Sequence, residues 1–176
     1  MEEDLKKIIK VVVTGPESTG KTSLSQSLAS HFGIEYVPEY ARDYLEQQKG
    51  EYTKDDLTKI AKGQIQIEDK YLKESPNLVI CDTSLEVIRV WSEWKYSNCD
   101  PFILEAVKTR SPDLYLLLSP DIAWEPDPLR ENPHDREALF TYYQKSLREY
   151  HSKVVELRGT KLEKLASAID QIQRII

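Results

Sequence analysis

The sequence lacks the features that mark a membrane-spanning or secreted protein. No apolar run approaches the roughly 20 residues that a membrane-spanning helix requires, and the N-terminal segment MEEDLKKIIK is charged, unlike the apolar core of a secretory signal. The formal net charge is -6, so the chain has no overall attraction for nucleic acid. We therefore expect a soluble cytoplasmic protein without a membrane or nucleic-acid partner. Nothing in the composition indicates an oligomeric state.

Cysteine is also scarce. Cys81 and Cys99 are the only two in the chain, and neither has Cys or His neighbours at the spacing of a zinc site. Cys81 ends a β-rich run and is predicted to be a buried strand residue, whereas Cys99 is predicted to be a loop thiol. Neither position predicts a catalytic cysteine.

The order of apolar segments predicts an α/β fold. The 176 residues, 40% of them hydrophobic, suffice for one well-buried core, so we expect a single domain over 1–176. Short β-rich runs alternate with longer helical patterns, which is typical of a parallel sheet with crossover helices. Five strands are predicted, at Ile8–Thr14, Ile34–Val37, Asn77–Cys81, Leu114–Leu118 and Val154–Leu157. Seven helices are predicted, at Lys21–His31, Ala41–Gln48, Lys54–Glu74, Leu85–Tyr96, Pro101–Thr109, Arg136–Lys153 and Leu162–Ile175.

Two local signals refine this outline. Thr53 followed by Asp56 forms a capping pair that predicts the start of the third helix. The segment 119–136 interrupts the alternation with four prolines, which fix φ and remove backbone donors. Long irregular loops in compact domains are often lids over a binding site. We therefore predict a lid at about 119–136.

The motif that carries most information is GPESTGKT at 15–22. It matches G-x-x-x-x-G-K-[ST] and lies between a predicted strand and a predicted helix, a context that argues against a chance glycine-rich turn. Glycines let backbone N–H groups turn inward around a triphosphate. The run predicts an ATP and Mg²⁺ site, with Lys21 on the β- and γ-phosphates and Thr22 on the metal. The predicted nucleotide-binding residues are Gly15, Glu17, Ser18, Thr19, Gly20, Lys21, Thr22 and Ser23.

Two acids follow predicted strands at the edge of the sheet that the phosphate loop occupies. Asp82 comes directly after the run 78–81, where it is predicted to hold the metal, to cap the next helix, or both. Glu39 follows the second strand and is predicted to bind an acceptor hydroxyl and take up its proton. The alternative is that Glu39 only favours the start of the next helix through its charge. Arg42 is predicted to contact a substrate phosphate, or to pair with Glu39 or Glu46.

Arginines in the predicted lid bear on the kind of chemistry. Phosphoryl transfer gains from positive charge placed over the transferred group, so we predict Arg130 and Arg136 as catalytic residues beside Lys21 and Glu39. The alternative is that these arginines form exposed surface pairs, which are common and contribute little. A nucleotide-binding ATPase or switch module without a small-molecule acceptor also stays open, although a guanine-reading N-K-x-D element is missing.

Four longer motifs together resemble the ribosylnicotinamide kinase domain of the NadR family. They are GPESTGKTSL at 15–24, YVPEYARDYL at 36–45, CDTSLEVIRVW at 81–91 and LYLLLSPDIAWEPDPLRE at 114–131. The resemblance implies a P-loop nucleoside-kinase-like three-layer α/β/α fold. It also implies ATP-dependent phosphorylation of the 5'-hydroxyl of nicotinamide riboside to nicotinamide mononucleotide, in NAD salvage. A kinase for another nucleoside or small metabolite is the alternative.

The resemblance also suggests which residues contact a nucleoside. Aromatic faces attract cations, so Tyr40, Trp91 and Trp124 are candidates for packing on a pyridinium ring. The predicted substrate-binding residues are Glu39, Tyr40, Arg42, Asp82, Trp91, Trp124 and Asp127. Residues 158–160 are predicted, by analogy with related kinases, to lie at the adenine edge.

Overall fold

The computed structural model describes residues 7–75, 77–150 and 152–176. The predicted single domain 1–176 thus includes residues 1–6, Pro76 and His151, which lie outside the described residues. The strands are β1 (Ile9–Thr14), β2 (Tyr36–Val37), β3 (Leu78–Asp82), β4 (Leu114–Leu118) and β5 (Lys153–Leu157). The helices are α1 (Lys21–Phe32), α2 (Tyr40–Gln47), α3 (Lys54–Glu74), α4 (Leu85–Tyr96), α5 (Pro101–Thr109), α6 (Arg136–Leu147) and α7 (Lys161–Gln173).

The five strands form one parallel sheet in the order β2-β3-β1-β4-β5. In the central strand β1, Val11, Val12 and Val13 are all fully buried, because helices cover both faces of such a strand. Side chains alternate between the faces. Val11 and Val13 pack in the cluster that contains residues of α1 and α7, whereas Val12 packs with residues of α4 and α6. The predicted three-layer α/β/α fold is confirmed.

The best predictions of element bounds concern helices with clear local signals. The predicted bounds of α3, α4 and α5 are confirmed to the residue. At the start of α3 the backbone N–H of Thr53 donates to Asp56 Oδ2 at 2.8 Å, as the capping pair predicted. Among the described helices, none combines the length and apolar character needed to cross a membrane.

The second strand is shorter than predicted. The sequence predicted Ile34–Val37, but only Tyr36 and Val37 pair with β3. The reason is that the backbone N–H of Ile34 donates to the carbonyl of Ala29 at 3.0 Å, which ties Ile34 to the C-terminal cap of α1. Pairing with β3 therefore begins only at Tyr36.

The prediction for the sixth helix is wrong at its C-terminal end. The sequence predicted Arg136–Lys153, but the helix ends at Leu147, and Lys153 begins β5 opposite Leu114. After Leu147 the N–H groups of Arg148 and Glu149 donate to carbonyls three residues back, which tightens the last turn and ends the helix. His151, which the prediction also placed in this helix, lies outside the described residues.

Both cysteines lie where the sequence predicted. Cys81 is fully buried in β3. Cys99 lies in the connection between α4 and α5, where only 9% of its surface is exposed. Burial raises the pKa of the Cys99 thiol to about 11, which disfavours a reactive thiolate.

Candidate active site

Residues 15–22 form a tight loop between the end of β1 and the start of α1. Two glycines allow its path, because Gly15 and Gly20 adopt φ values of +137° and +87° that other residues rarely reach. The hydroxyl of Thr19 donates to the carbonyl of Pro16 at 2.9 Å and closes the loop on itself. The first turn of α1 directs its backbone N–H groups into the loop, which is the usual arrangement for binding phosphate.

We predict that Gly15→Ala destabilises the chain and weakens ATP binding. A Cβ at Gly15 would lie 2.7 Å from the carbonyl oxygen of Leu118, a backbone atom held in β4 by pairing with β5. Gly33→Ala is the matched control, because Gly33 also has positive φ but has nothing within 4 Å of the new Cβ. At Gly33, which is in the left-handed region, backbone strain costs alanine about 1 kcal/mol. Thermal unfolding should show a clearly larger loss for Gly15→Ala, and an equal or smaller loss would contradict the prediction.

Behind the loop, Thr22 contacts Asp82, which is the last residue of β3 rather than the residue after it. The Thr22 hydroxyl donates to Asp82 Oδ2 at 2.6 Å. Only 3% of Asp82 is exposed, and its Oδ1 has no hydrogen-bond partner among the residues that the structure describes. Burial raises the pKa of Asp82, while the hydrogen bond from Thr22 and the charge of Lys21 act in the opposite direction. A buried carboxylate oxygen of this kind is normally satisfied by water or by an ion.

Lys21 and Glu39 both line the cavity at the phosphate loop, close enough for their charges to interact. The Lys21 ammonium donates to the carbonyl of Pro16 at 2.7 Å. Both side chains are largely surrounded by protein, and this desolvation lowers the pKa of Lys21 and raises that of Glu39, although the two charges attract each other. Glu39 occupies the N-cap position of α2, but its side chain makes no capping hydrogen bond to the described residues. Thr83 lies close enough to lower the pKa of this carboxylate, and Glu39 lines the cavity rather than capping the helix.

The loop opens into a cavity of about 340 Å³ that is bounded by α2, α4, α6 and the segment 119–136. The structure brings many predicted site residues together on its wall. They are the whole run 15–23, Glu39, Arg42, Trp91 and Arg130.

The structure places the remaining predicted residues elsewhere. Asp82 is buried behind Thr22. The ring of Tyr40 packs on Gly63 of α3, where an added Cβ would lie 2.0 Å from Cε1 of the ring. Asp127 pairs with Arg42 at 3.1 Å. The predicted substrate contacts of Tyr40 and Asp127 therefore have no place on the cavity wall, and stay predictions.

Trp124 also lies off the cavity wall, against Arg130 and Arg136. Its ring centroid lies 5.8 Å from the guanidinium carbon of Arg130 and 5.7 Å from that of Arg136. Arg136 donates to the carbonyl of Ser18 at 3.0 Å and to that of Ile122 at 2.9 Å. In this geometry the ring of Trp124 packs against both guanidinium groups, and Arg136 contacts the phosphate loop. The predicted contact of Trp124 with an acceptor ring stays a prediction.

The segment predicted as a lid packs directly on the phosphate loop. The carboxylate of Glu17 accepts hydrogen bonds from the backbone N–H groups of Glu131 at 3.1 Å and Asn132 at 2.9 Å. The hydroxyl of Ser18 accepts one from the N–H of Glu125 at 2.8 Å. The two side chains that distinguish this loop from a generic one thus bind the backbone of the segment above it.

Sequence reasoning missed part of the cavity wall. Val87, Val90 and Trp94 line it together with Trp91, and their spacing of three and four residues along α4 is a signal that could have found them. Tyr52 left no such signal, because it lies in the connection before α3. Its hydroxyl nevertheless accepts from Trp91 Nε1 at 2.9 Å and thereby holds that ring.

Residues 158–160 are occupied by structural hydrogen bonds. The N–H of Gly159 donates to Asp121 at 2.6 Å, and the hydroxyl of Thr160 caps α7 by accepting from the N–H of Glu163 at 3.2 Å. The next residue, Lys161, lines the cavity. The predicted adenine edge at 158–160 stays a prediction, because the residue that lines the cavity is the next one, Lys161.

A parallel sheet with β1 at its centre, followed by a G-x-x-x-x-G-K-T loop and a helix, defines a P-loop nucleotide-binding protein. Residues 10–164 match the family model described as AAA domain, and the chain belongs to that family.

Two curated relatives share a name. The trifunctional NAD biosynthesis/regulator protein NadR of Salmonella typhimurium is 28% identical over 156 residues, which are 84% of this chain and 38% of the relative. The protein of the same name from Escherichia coli is 29% identical over 126 residues, which are 68% of this chain and 30% of the relative. The chain thus spans well under half the length of these relatives. The predicted resemblance to NadR is confirmed.

Solved structures agree with this relationship. A NadR protein in complex with NAD and AMP-PNP superimposes with a TM-score of 0.75 at 26% identity, over 95% of this chain and 49% of that one. A NadR protein in complex with NR gives 0.79 at 24% identity, over 95% and 50%. Deoxyadenosine kinase of M. mycoides with dATP gives 0.57 at 14% identity, over 94% and 99%. At 24% and 14% identity, these last two structures show the fold alone. The fold is that of P-loop kinases, as predicted.

Proposed function

We propose that this chain is a kinase that transfers the γ-phosphoryl group of ATP to the 5'-hydroxyl of nicotinamide riboside, giving nicotinamide mononucleotide and ADP. One observation carries the proposal: the phosphate loop with Lys21 lines the same cavity as the carboxylate of Glu39, which makes no capping hydrogen bond to α2 among the described residues. In an ATPase such a carboxylate would act on water, which needs no cavity. Here Glu39 lies on the wall of a cavity of about 340 Å³, which favours a larger acceptor alcohol.

On the donor side, the loop N–H groups and Lys21 hold the triphosphate. The Lys21 ammonium would balance charge on the β- and γ-phosphates, and Arg130, whose guanidinium lies 3.4 Å from the hydroxyl of Ser18, adds a second positive charge to the cavity wall. The AMP-PNP named with the 26% identical NadR structure supports ATP as the donor. Because Arg136 binds the carbonyl of Ser18, we assign it to holding the loop rather than to contacting the phosphate.

On the acceptor side, Glu39 orients the attacking hydroxyl. As the hydroxyl oxygen forms its bond to the γ-phosphorus, the carboxylate accepts the proton, and the bond from the γ-phosphorus to the ADP oxygen breaks. Desolvation raises the pKa of Glu39, which makes it a stronger base than an exposed glutamate.

The residues at the loop also fit Mg²⁺. Thr22 supplies a hydroxyl, and Asp82 supplies the buried Oδ1 that lacks a partner among the described residues. The described part of the chain contains no cluster of three or more His, Cys, Asp or Glu suited to a metal, so the other ligands of Mg²⁺ would be triphosphate oxygens and water. When bound, Mg²⁺ would neutralise negative charge on the phosphates during transfer.

Two side chains of the wall favour a cationic nucleoside. Trp91 presents an aromatic surface, held by the hydrogen bond to Tyr52, and aromatic faces attract cations by about 0.5–2 kcal/mol. Glu39 places a carboxylate in the same cavity. The relatives named for NAD biosynthesis support nicotinamide riboside within this class.

A coupled ADP assay across nicotinamide riboside, uridine, cytidine and deoxynucleosides tests the proposal. We expect turnover with nicotinamide riboside, at a kcat/KM at least about tenfold above that of the neutral nucleosides, which corresponds to about 1.4 kcal/mol of preference. Turnover of a pyrimidine nucleoside without turnover of nicotinamide riboside would show that the proposed substrate is wrong and that the protein is a kinase for the pyrimidine nucleoside. ATP hydrolysis that no nucleoside stimulates would favour the ATPase alternative.

A further inference from the structure

A buried polar cluster lies directly behind the proposed acceptor and metal residues. Its centre is Glu68 of α3, which is fully buried. The carboxylate of Glu68 accepts hydrogen bonds from three different segments. The donors are Lys10 Nζ of β1 at 2.5 Å, Gln64 Nε2 of α3 at 3.2 Å and Ser84 Oγ, which follows β3, at 2.5 Å.

One arm of this cluster reaches the segment that carries Glu39. A carboxylate only accepts hydrogen bonds, so Gln64 must turn its amide nitrogen toward Glu68. The amide oxygen of Gln64 then points the other way and accepts from the backbone N–H of Tyr40 at 3.0 Å. Tyr40 is the first residue of α2 and directly follows Glu39. The orientation imposed by Glu68 therefore fixes the backbone on which Glu39 sits.

The other arm reaches the segment that carries Asp82. Ser84 donates its hydroxyl to Glu68 and its backbone N–H to Glu86 Oε1 at 3.2 Å. Between Asp82 and Ser84, Thr83 adopts a φ of +63°, which is rare for a β-branched residue and persists only where the surroundings enforce it. The anchored Ser84 is one of the contacts that enforce it.

Stability alone is a weak reason for such a cluster. Lys10 and Glu68 are both buried, at 8% and 0% exposure, and a buried ion pair is often no more stabilising than apolar residues of the same volume. Apolar residues could not hold the site in the same way. The Glu68 carboxylate links the segment of Glu39, through Gln64, to the segment of Asp82, through Ser84.

We propose that Glu68 is a positioning residue for phosphoryl transfer, which sets the placement of Glu39 relative to Asp82 through Gln64 and Ser84. This inference rests on the proposed function. It assigns to Glu68 no contact with substrate.

Two double variants isolate this role. Lys10→Met with Glu68→Gln removes both charges but keeps an amide oxygen that can accept from Gln64 and Ser84. Lys10→Met with Glu68→Met removes the charges and the acceptor together. We expect kcat/KM for the nucleoside to be at least about tenfold lower in the second variant than in the first, from the loss of buried hydrogen bonds that fix the site. Equal values in two folded variants would overturn the proposal.

A milder pair covers the case in which the second double variant does not fold. Gln64→Met breaks only the arm to Tyr40, and Gln66→Met is the matched control on the exposed side of the same helix. We expect Gln64→Met to raise KM for the nucleoside about tenfold, with KM for ATP close to that of the control. The melting temperature should fall by a few degrees, because the N–H of Tyr40 loses its acceptor. Kinetics identical to Gln66→Met would overturn the proposal.

Wild-type turnover separates the two claims. If the wild type phosphorylates no nucleoside, the proposed function fails, and crystal structures of the wild type and of Gln64→Met decide the inference. A displaced Glu39 carboxylate in Gln64→Met supports the positioning role, and an unchanged carboxylate overturns it.

Discussion

Replacing Lys21 with alanine is expected to lower kcat by about a thousandfold, the order of effect seen when a preorganised charge at a developing negative charge is removed. The physical reason is position. Lys21 is the cation at the mouth of the phosphate loop, and its ammonium contacts the loop carbonyl of Pro16 rather than the core. A triphosphate bound in the loop would lose its nearest side-chain charge in the variant.

The fold should survive this change. The surroundings lower the pKa of Lys21, so its charged form is less favourable in the folded chain than in the unfolded chain, and removing the charge does not lower stability. Lys73→Ala, at an exposed position of α3, is the control. Thermal unfolding without nucleotide should give similar midpoints for both variants. A midpoint for Lys21→Ala many degrees below that of Lys73→Ala would show that Lys21 is a structural residue.

The features that the sequence predicted well are those set by short stretches of chain. The phosphate loop, the capping pair Thr53 and Asp56, and the position of Asp82 at the end of a strand all depend on neighbours within a few residues. In a parallel sheet the C-terminal ends of strands lie at one edge. The placement of Glu39 on the same cavity as Lys21 follows from that rule, and the structure shows it.

The features that the sequence did not predict depend on contacts between distant segments. In the sequence Glu68 is one acid among several in a long helix. Its hydrogen bonds to Lys10 of β1 and to Ser84 after β3 form only when these distant segments pack together. The packing of Arg130 and Arg136 on the ring of Trp124 is likewise a contact that no local pattern in the sequence indicates. Long-range packing of this kind leaves no periodic trace in the sequence.

Glu39→Gln is expected to lower kcat by about a hundredfold to a thousandfold with little change in ATP binding, because general base catalysis contributes on the order of 10²–10⁴. Glutamine keeps the shape and can orient a hydroxyl, but it cannot take up a proton. The side chain makes no capping hydrogen bond to α2 among the described residues, so no hydrogen bond to the helix is lost when the charge is removed.

The outcome of this substitution separates the kinase from its alternatives. Glu46→Gln, at an exposed position of α2, is the matched control and should retain wild-type kcat. ATP affinity, measured by calorimetry, should stay within about threefold of wild type in both variants, because Glu39 lies on the acceptor side of the loop. If kcat for nucleoside phosphorylation is unchanged in Glu39→Gln, another group takes up the proton. Glu39 would then only add a negative charge that favours the protonated form of Lys21. If slow ATP hydrolysis is the only activity and is the same in both variants, the cavity has no acceptor chemistry, and the phosphate loop belongs to a nucleotide-binding ATPase or switch module instead.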